Sequence, residues 1–111
     1  MSLPLSGIRV LDLTNVLAGP YCSMVLGDMG ADVIKIENAD TGDTSRNFEP
    51  QVNGESYCFA VLNRNKRSVA LNLKDPSGLQ VALALASKAD IILENFRPGV
   101  VQRMGLGYES V

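Results

Sequence analysis

The sequence predicts an α/β fold: a partial Rossmann-like doubly wound sheet, mostly parallel and truncated before completion. Three observations point there. The run Ile8-Arg-Val-Leu-Asp-Leu13 is short, aliphatic and β-branched, as a strand buried on both faces should be. From Pro20 to Met29 a short helix is marked at both ends. Proline's fixed φ suits a first helical residue, and Gly30 stands where a left-handed cap belongs. Val33-Ile-Lys-Ile-Glu37 follows at once as a second strand. Strand, helix and strand within about 30 residues make a βαβ unit with a right-handed crossover.

The later elements extend the same pattern. Asn38 to Gly54 is rich in Asn, Asp, Thr, Gly, Ser and Pro, a loop composition. At roughly 17 residues it exceeds an ordinary connection, and reads equally as a functional segment or a solvated excursion. Ser56 can cap a short helix through Leu62, with Tyr57, Phe59, Val61 and Leu62 as its apolar residues. Ser68 to Leu73 reads as a buried strand. Asp75-Pro76 then supplies an acidic N-cap and a first-position proline for a helix to about Lys88. Leu79, Leu83 and Ala86 line one face of that helix, Ala82 and Leu85 widen it, and Lys88 complements its macrodipole. Asp90-Ile-Ile-Leu-Glu94 is the next strand, and a one-turn helix over about Gly99 to Met104 ends at Gly105. Gly107 to Val111 opens another helix, and one edge of the four-stranded sheet is left uncovered.

Composition narrows the function. At 111 residues and 46% hydrophobic, the chain is one globular domain at most. A net charge of −2 argues against nucleic acid or an acidic membrane as obligate partner. The longest aliphatic run, about Val81 to Ala86, is far short of the ~20 residues a membrane span requires. With no secretory signal at Met1-Ser-Leu-Pro4, Cys22 and Cys58 are expected to be reduced thiols in the cytoplasm. There is no histidine. Ser-His-Asp and Cys-His catalysis, an imidazole base and a His-based metal site are therefore excluded.

Candidate binding residues lie where parallel sheets collect ligands, beyond the carboxyl ends of the strands. Thr14-Asn15-Val16-Leu17-Ala18-Gly19 lacks the Gly-x-Gly-x-x-Gly spacing that closes on a pyrophosphate. It can line a slot for a flat, partly apolar group, or it is a plain β–α connection. Asn63-Arg64-Asn65-Lys66-Arg67 is either a phosphate contact or a solvated basic turn. Asn95-Phe96-Arg97-Pro98-Gly99 should open beside the first loop, with Arg103 nearby. An amide, an aromatic face and a guanidinium suit a nucleobase-like ring, unless Phe96 packs inward and Arg97 is a surface charge.

Taken together, these segments resemble the N-terminal part of the family III CoA-transferases. The group includes formyl-CoA and carnitine-CoA transferases and the related α-methylacyl-CoA racemase. The resemblance is carried by Gly7-Ile-Arg-Val-Leu-Asp-Leu-Thr14, Leu17-Ala-Gly-Pro20, Leu26-Gly-Asp-Met-Gly-Ala-Asp-Val-Ile-Lys-Ile-Glu37 and Asn63-Arg-Asn-Lys-Arg-Ser-Val-Ala-Leu-Asn-Leu-Lys74. Ala89-Asp-Ile-Ile-Leu-Glu-Asn-Phe-Arg-Pro-Gly99 and Met104-Gly-Leu-Gly-Tyr108 complete it. It implies that residues 1–111 are the CoA-binding portion of a large transferase domain. CoA contacts are implied at Val16, Leu17 and Ala18, along Leu71, Asn72, Leu73 and Lys74, at Asn95, Phe96 and Arg97, and at Arg103. The resemblance also implies that no cofactor is held tightly and that coenzyme A or acyl-CoA is the substrate, with a carboxylic acid as its counterpart. Asn38 stands where many members have arginine, and Asn72 where aspartate is common. The family's nucleophilic aspartate, expected to carry CoA as an aspartyl thioester, falls beyond Val111, so no catalytic residue is assigned here. A binding or assembly module that pairs with a second copy or a complementing chain is the reading from another class. A fragment of a racemase is the third, because its proton-transfer residues also fall later.

Overall fold

The structure, a computed structural model, describes residues 2–111. Strand β1 (Arg9–Asp12) leads through α1 (Ala18–Asp28) into β2 (Asp32–Asn38). A 3₁₀ turn at Thr44–Asn47 and a hairpin of β3 (Gln51–Val52) and β4 (Glu55–Ser56) precede α2 (Tyr57–Leu62). Then come β5 (Lys66–Leu71), α3 (Pro76–Ala86), β6 (Ile91–Leu93) and α4 (Val100–Arg103), with a last 3₁₀ turn at Tyr108–Ser110. The main sheet runs β5-β2-β1-β6 with every neighbouring pair parallel. The chain thus winds outward from β1 to β5 and returns on the other side of β1. That reversal puts a topological switch point between β1 and β6.

Alternation along the strands divides the core in two. Leu11, Leu13, Ile34 and Ile36 bury against Ala82 and Ala86 of α3, Val101 of α4 and Leu106. Val10 and Val33 face the other way, with Ala31 beside them and Leu26 of α1 packed on top. The same period of two puts Asp12, Lys35 and Glu37 on this second face, and all three are buried. Every buried side-chain nitrogen or oxygen among the described residues has a hydrogen-bond partner. The charges are paid for by pairing, as burial demands.

The caps form as their chemistry predicts, while several boundaries move. The Ser56 side chain accepts the Phe59 N–H, and that of Asp75 accepts the Ser77 N–H. Gly30 (φ +105°) follows the Met29 cap of α1. That helix starts at Ala18, not Pro20, because the Tyr21 N–H already reaches the Leu17 carbonyl at 2.9 Å. Pro20 is tolerated there because N–H groups of a first turn have no helical partner. The strand expected at Ser68–Leu73 runs from Lys66 to Leu71. Lys66 and Arg67 enter the ladder because carboxylates receive their charges, and Asn72 turns the chain by accepting the Lys74 N–H at 3.1 Å. Helix α3 stops at Ala86, where the Lys88 N–H bonds three residues back to Leu85 in a tightened last turn. The stretch 38–54 is no plain loop: it holds the 3₁₀ turn, one hairpin strand and a buried Asp43.

Candidate functional site

A cavity of about 790 Å³ opens outside the carboxyl ends of all four strands of the main sheet. Leu13 and Asn15 come from the end of β1, Ile36, Asn38 and Asp40 from that of β2. The segment Leu71-Asn72-Leu73-Lys74 after β5 and Phe96 after β6 complete the floor. Leu79 of α3 and Val100, Arg103 and Met104 at α4 form the side. Six of the expected contacts therefore share one wall: Leu71, Asn72, Leu73, Lys74, Phe96 and Arg103. Phe96 packs on the core and also lines the cavity, while Arg97 is exposed.

Val16, Leu17, Ala18, Asn95 and Arg97 do not line the cavity but stand beside it. Asn95 ties the two loops together at the switch point. Its amide nitrogen donates to the Asn15 carbonyl at 2.9 Å, and its oxygen accepts the Asn15 N–H at 3.1 Å. Val16 follows the cavity residue Asn15 and begins an exposed rim with Leu17 and Ala18, and Arg97 is exposed just after Phe96. Asn38 and Asp40 are cavity residues that the carboxyl-end rule could have found at the end of β2.

The basic run is not simply solvated, because each of its three charges is met by a carboxylate of this chain. Arg64 pairs with Asp28 at 2.6 Å and Arg67 with Asp32 at 2.8 Å. Each guanidinium holds its carboxylate partner below the usual range. Lys66 goes inward to Asp12 at 3.2 Å, its side chain only 2% exposed. Burial lowers its pKa, which the nearby Asp12 carboxylate opposes. Of ten lysines and arginines, Arg9, Lys35, Arg46, Arg64, Lys66 and Arg67 are held by carboxylates. Among the described residues the four without such a partner are Lys74, Lys88, Arg97 and Arg103. Two of those four, Lys74 and Arg103, line the cavity, and Arg97 follows the lining residue Phe96 in the chain. Cations with no internal partner at the mouth of an apolar pocket suit an anionic ligand with a flat apolar part.

Beneath the first loop lies a buried charge network. Asp12 accepts from the Thr14 N–H and hydroxyl and from the Ser23 hydroxyl. Lys35 pairs with Asp43 at 2.9 Å and donates to the Thr14 carbonyl at 2.8 Å. Burial pushes the Asp43 carboxyl up, but the Lys35 and Ser45 hydrogen bonds outweigh it and the net shift is downward. Glu37, gripped by Arg46 through two 2.7 Å bonds, is lowered to about 2. Sequence reasoning missed this network. The one available sign was a charge in a run otherwise fit for a doubly buried strand, as at Asp12 and Lys35.

The mouse succinyl-CoA:glutarate CoA-transferase is 51% identical over 97% of the chain, which spans 25% of that protein. A formyl-CoA:oxalate CoA-transferase of Afipia carboxidovorans is 46% identical over the whole chain, which spans 26% of it. The crystal structure of a CAIB/BAIF family protein from Brucella suis superposes with a TM-score of 0.91 at 37% identity. That match covers 99% of this chain and 30% of the other. The chain thus spans about a quarter of the length of the curated relatives it matches. Residues 5–111 match the profile of CoA-transferase family III, and the chain belongs to that family.

Proposed function

We propose that this chain forms the CoA-holding wall of a family III CoA-transferase, which moves CoA between an acyl-CoA and a carboxylic acid. One observation carries the reading: a largely apolar cavity at the strand ends is lined by Lys74 and Arg103, two of the four cations that have no carboxylate partner among the described residues. In this reading Phe96, Leu71 and Leu73 receive the adenine, and Lys74, Arg97 and Arg103 receive the phosphates. Val16, Leu17 and Ala18 lead the pantetheine away along the rim. The attacking carboxylate comes from a part of the enzyme outside residues 1–111. It displaces CoA thiolate from the thioester to give a mixed anhydride, and the thiolate then forms the aspartyl thioester as the donor acid leaves. The acceptor carboxylate attacks that thioester, and thiolate returned to the new anhydride regenerates the aspartate. Alone, the chain binds CoA without turnover. Its two free cysteines, Cys22 and Cys58, accord with a reducing compartment such as the cytoplasm.

Calorimetry with CoA and dephospho-CoA tests this. CoA is expected to bind weakly, with Kd below about 1 mM, and dephospho-CoA more weakly still. Arg103→Ala should weaken CoA about tenfold, the loss of one exposed charge-assisted contact. No heat with CoA at millimolar concentration would overturn the reading. The open edges at β5 and β6 favour a second reading, an assembly module that binds no nucleotide.

A further inference from the structure

The backbone of Thr14-Asn15-Val16 is unusual in its bookkeeping. Its polar groups are met by side chains brought from four other places in the chain. Asp12 accepts the Thr14 N–H and Lys35 donates to the Thr14 carbonyl. Asn95 serves both the N–H and the carbonyl of Asn15. Asp43 accepts the Val16 N–H at 3.1 Å. Val16 needs such restraint because its φ is +74°, a left-handed conformation in which a β-branched residue is strained. Strain of this kind persists only where the surroundings over-determine it.

Asp43 is the restraint that touches the strained residue, and it is itself fixed from several sides. It is fully buried, pairs with Lys35 and accepts the Ser45 N–H and hydroxyl. Its own N–H goes to Glu37, which Arg46 clamps, and Arg46 lies over the Phe59 ring 3.8 Å from its centre. The 38–54 excursion is thus fastened to β2 and α2, and it delivers one carboxylate beneath the first loop.

We propose that Asp43 is a positioning residue for coenzyme A: with Lys35 it holds Val16 left-handed and so sets the shape of the Val16-Leu17-Ala18 rim. This rests on the CoA reading above. Asp43 and Lys35 are buried under the loop and touch no ligand; they act through the backbone of Thr14 and Val16.

The test uses the paired variant Lys35→Met/Asp43→Leu, which removes both charges at similar volume and leaves neither buried alone. It is measured with and without Val16→Gly, since glycine adopts positive φ at no steric cost. The paired variant is expected to fold, to bind CoA about tenfold more weakly, and to lose exchange protection at the Val16 amide while β1 and β2 keep theirs. Against Val16→Gly alone, adding the paired substitutions should cost little further affinity, which a merely structural role for the pair would not allow. Unchanged CoA affinity in the paired variant, or an equal loss in the glycine background, would overturn the proposal. Should the parent chain bind no CoA, the CoA reading falls and this proposal with it. The Val16 exchange measurement then still decides whether the pair restrains the loop. If the paired variant does not fold, Asp43→Asn with and without Val16→Gly is read by the same two measurements and the same criteria.

Discussion

Three cations within four residues meet two different fates, and the difference decides what each is worth. Arg64 and Arg67 form exposed pairs with Asp28 and Asp32, whereas the Lys66 ammonium is sealed against Asp12, the Pro20 carbonyl and the Asn63 side chain. Breaking a buried pair leaves a lone charge inside, so Lys66→Met should cost about 3 kcal/mol of unfolding free energy. Arg67→Met should stay within about 0.5 kcal/mol, as solvent-screened pairs do. Urea unfolding of both variants checks this, and equal losses would refute it. Glu37 gives a pH signature of its own. Its carboxyl falls from the ordinary 4.5 to about 2, chiefly through Arg46, with help from Ser68 and the Asp43 N–H and against burial. The folded value lies below the unfolded one, so this stabilisation is complete above about pH 4.5 and is lost as pH falls toward 2. Its size is of order 2 kcal/mol after discounting for the half-exposed Arg46. Unfolding measured at about pH 5 and about pH 3 should fall less steeply for Glu37→Gln than for the parent. Parallel slopes would remove Glu37 from the account.

Elements here are set by local chemistry at their ends and by neighbours in their middles. Helix α1 sits so close to the first loop that a Cβ at Gly19 would lie 2.2 Å from the Thr14 Cβ. Thr14 is buried and bonded on both sides of its peptide, so it cannot step aside cheaply. Gly19→Ala should therefore destabilise the fold by about 1–3 kcal/mol, the range for overpacking, and weaken CoA binding as the loop shifts. An alanine variant with unchanged thermal midpoint would contradict the packing. Capping signals of this local kind are what made the sequence readable. Ser56 and Asp75-Pro76 announce their helices because a cap needs only residues a few positions away. The carboxyl-end rule likewise drew Phe96 and Arg103 to one opening, whereas Leu71 entered only through the family resemblance. Lys66 and Asp43 stayed hidden for the opposite reason. Lys66 is buried by Asp12, several elements away in β1, and Asp43 by Lys35 in the preceding strand β2, while within their own segments both look like solvated charges. Strand limits at Lys66 shifted on the same account, since a cation joins a ladder only when something distant receives its charge.

At the scale of the molecule, the sheet is open on both sides. Among the described residues the outer edge of β5 pairs with nothing over Lys66–Leu71, and β6 closes the other side with three residues. Exposed strand edges of this length are templates for pairing, and proteins normally cover or charge them. A second unpartnered surface lies around α1 and α2, where Leu17, Tyr21, Tyr57 and Val61 are each 43–59% exposed. Apolar residues grouped at this density mark contact surfaces more often than free ones. The curated relatives are about four times as long as this chain, which accords with both surfaces being covered in a whole enzyme. The chain by itself is then expected to self-associate. Sedimentation velocity over about a hundredfold range of concentration should show species heavier than the 11.9 kDa monomer, increasing with concentration. Because the driving contacts are backbone pairing and apolar burial, raising salt to about 1 M should leave association unchanged or stronger. Dissociation by salt would instead assign it to charge pairing, and a single monomeric boundary at every concentration would show that neither surface needs a partner.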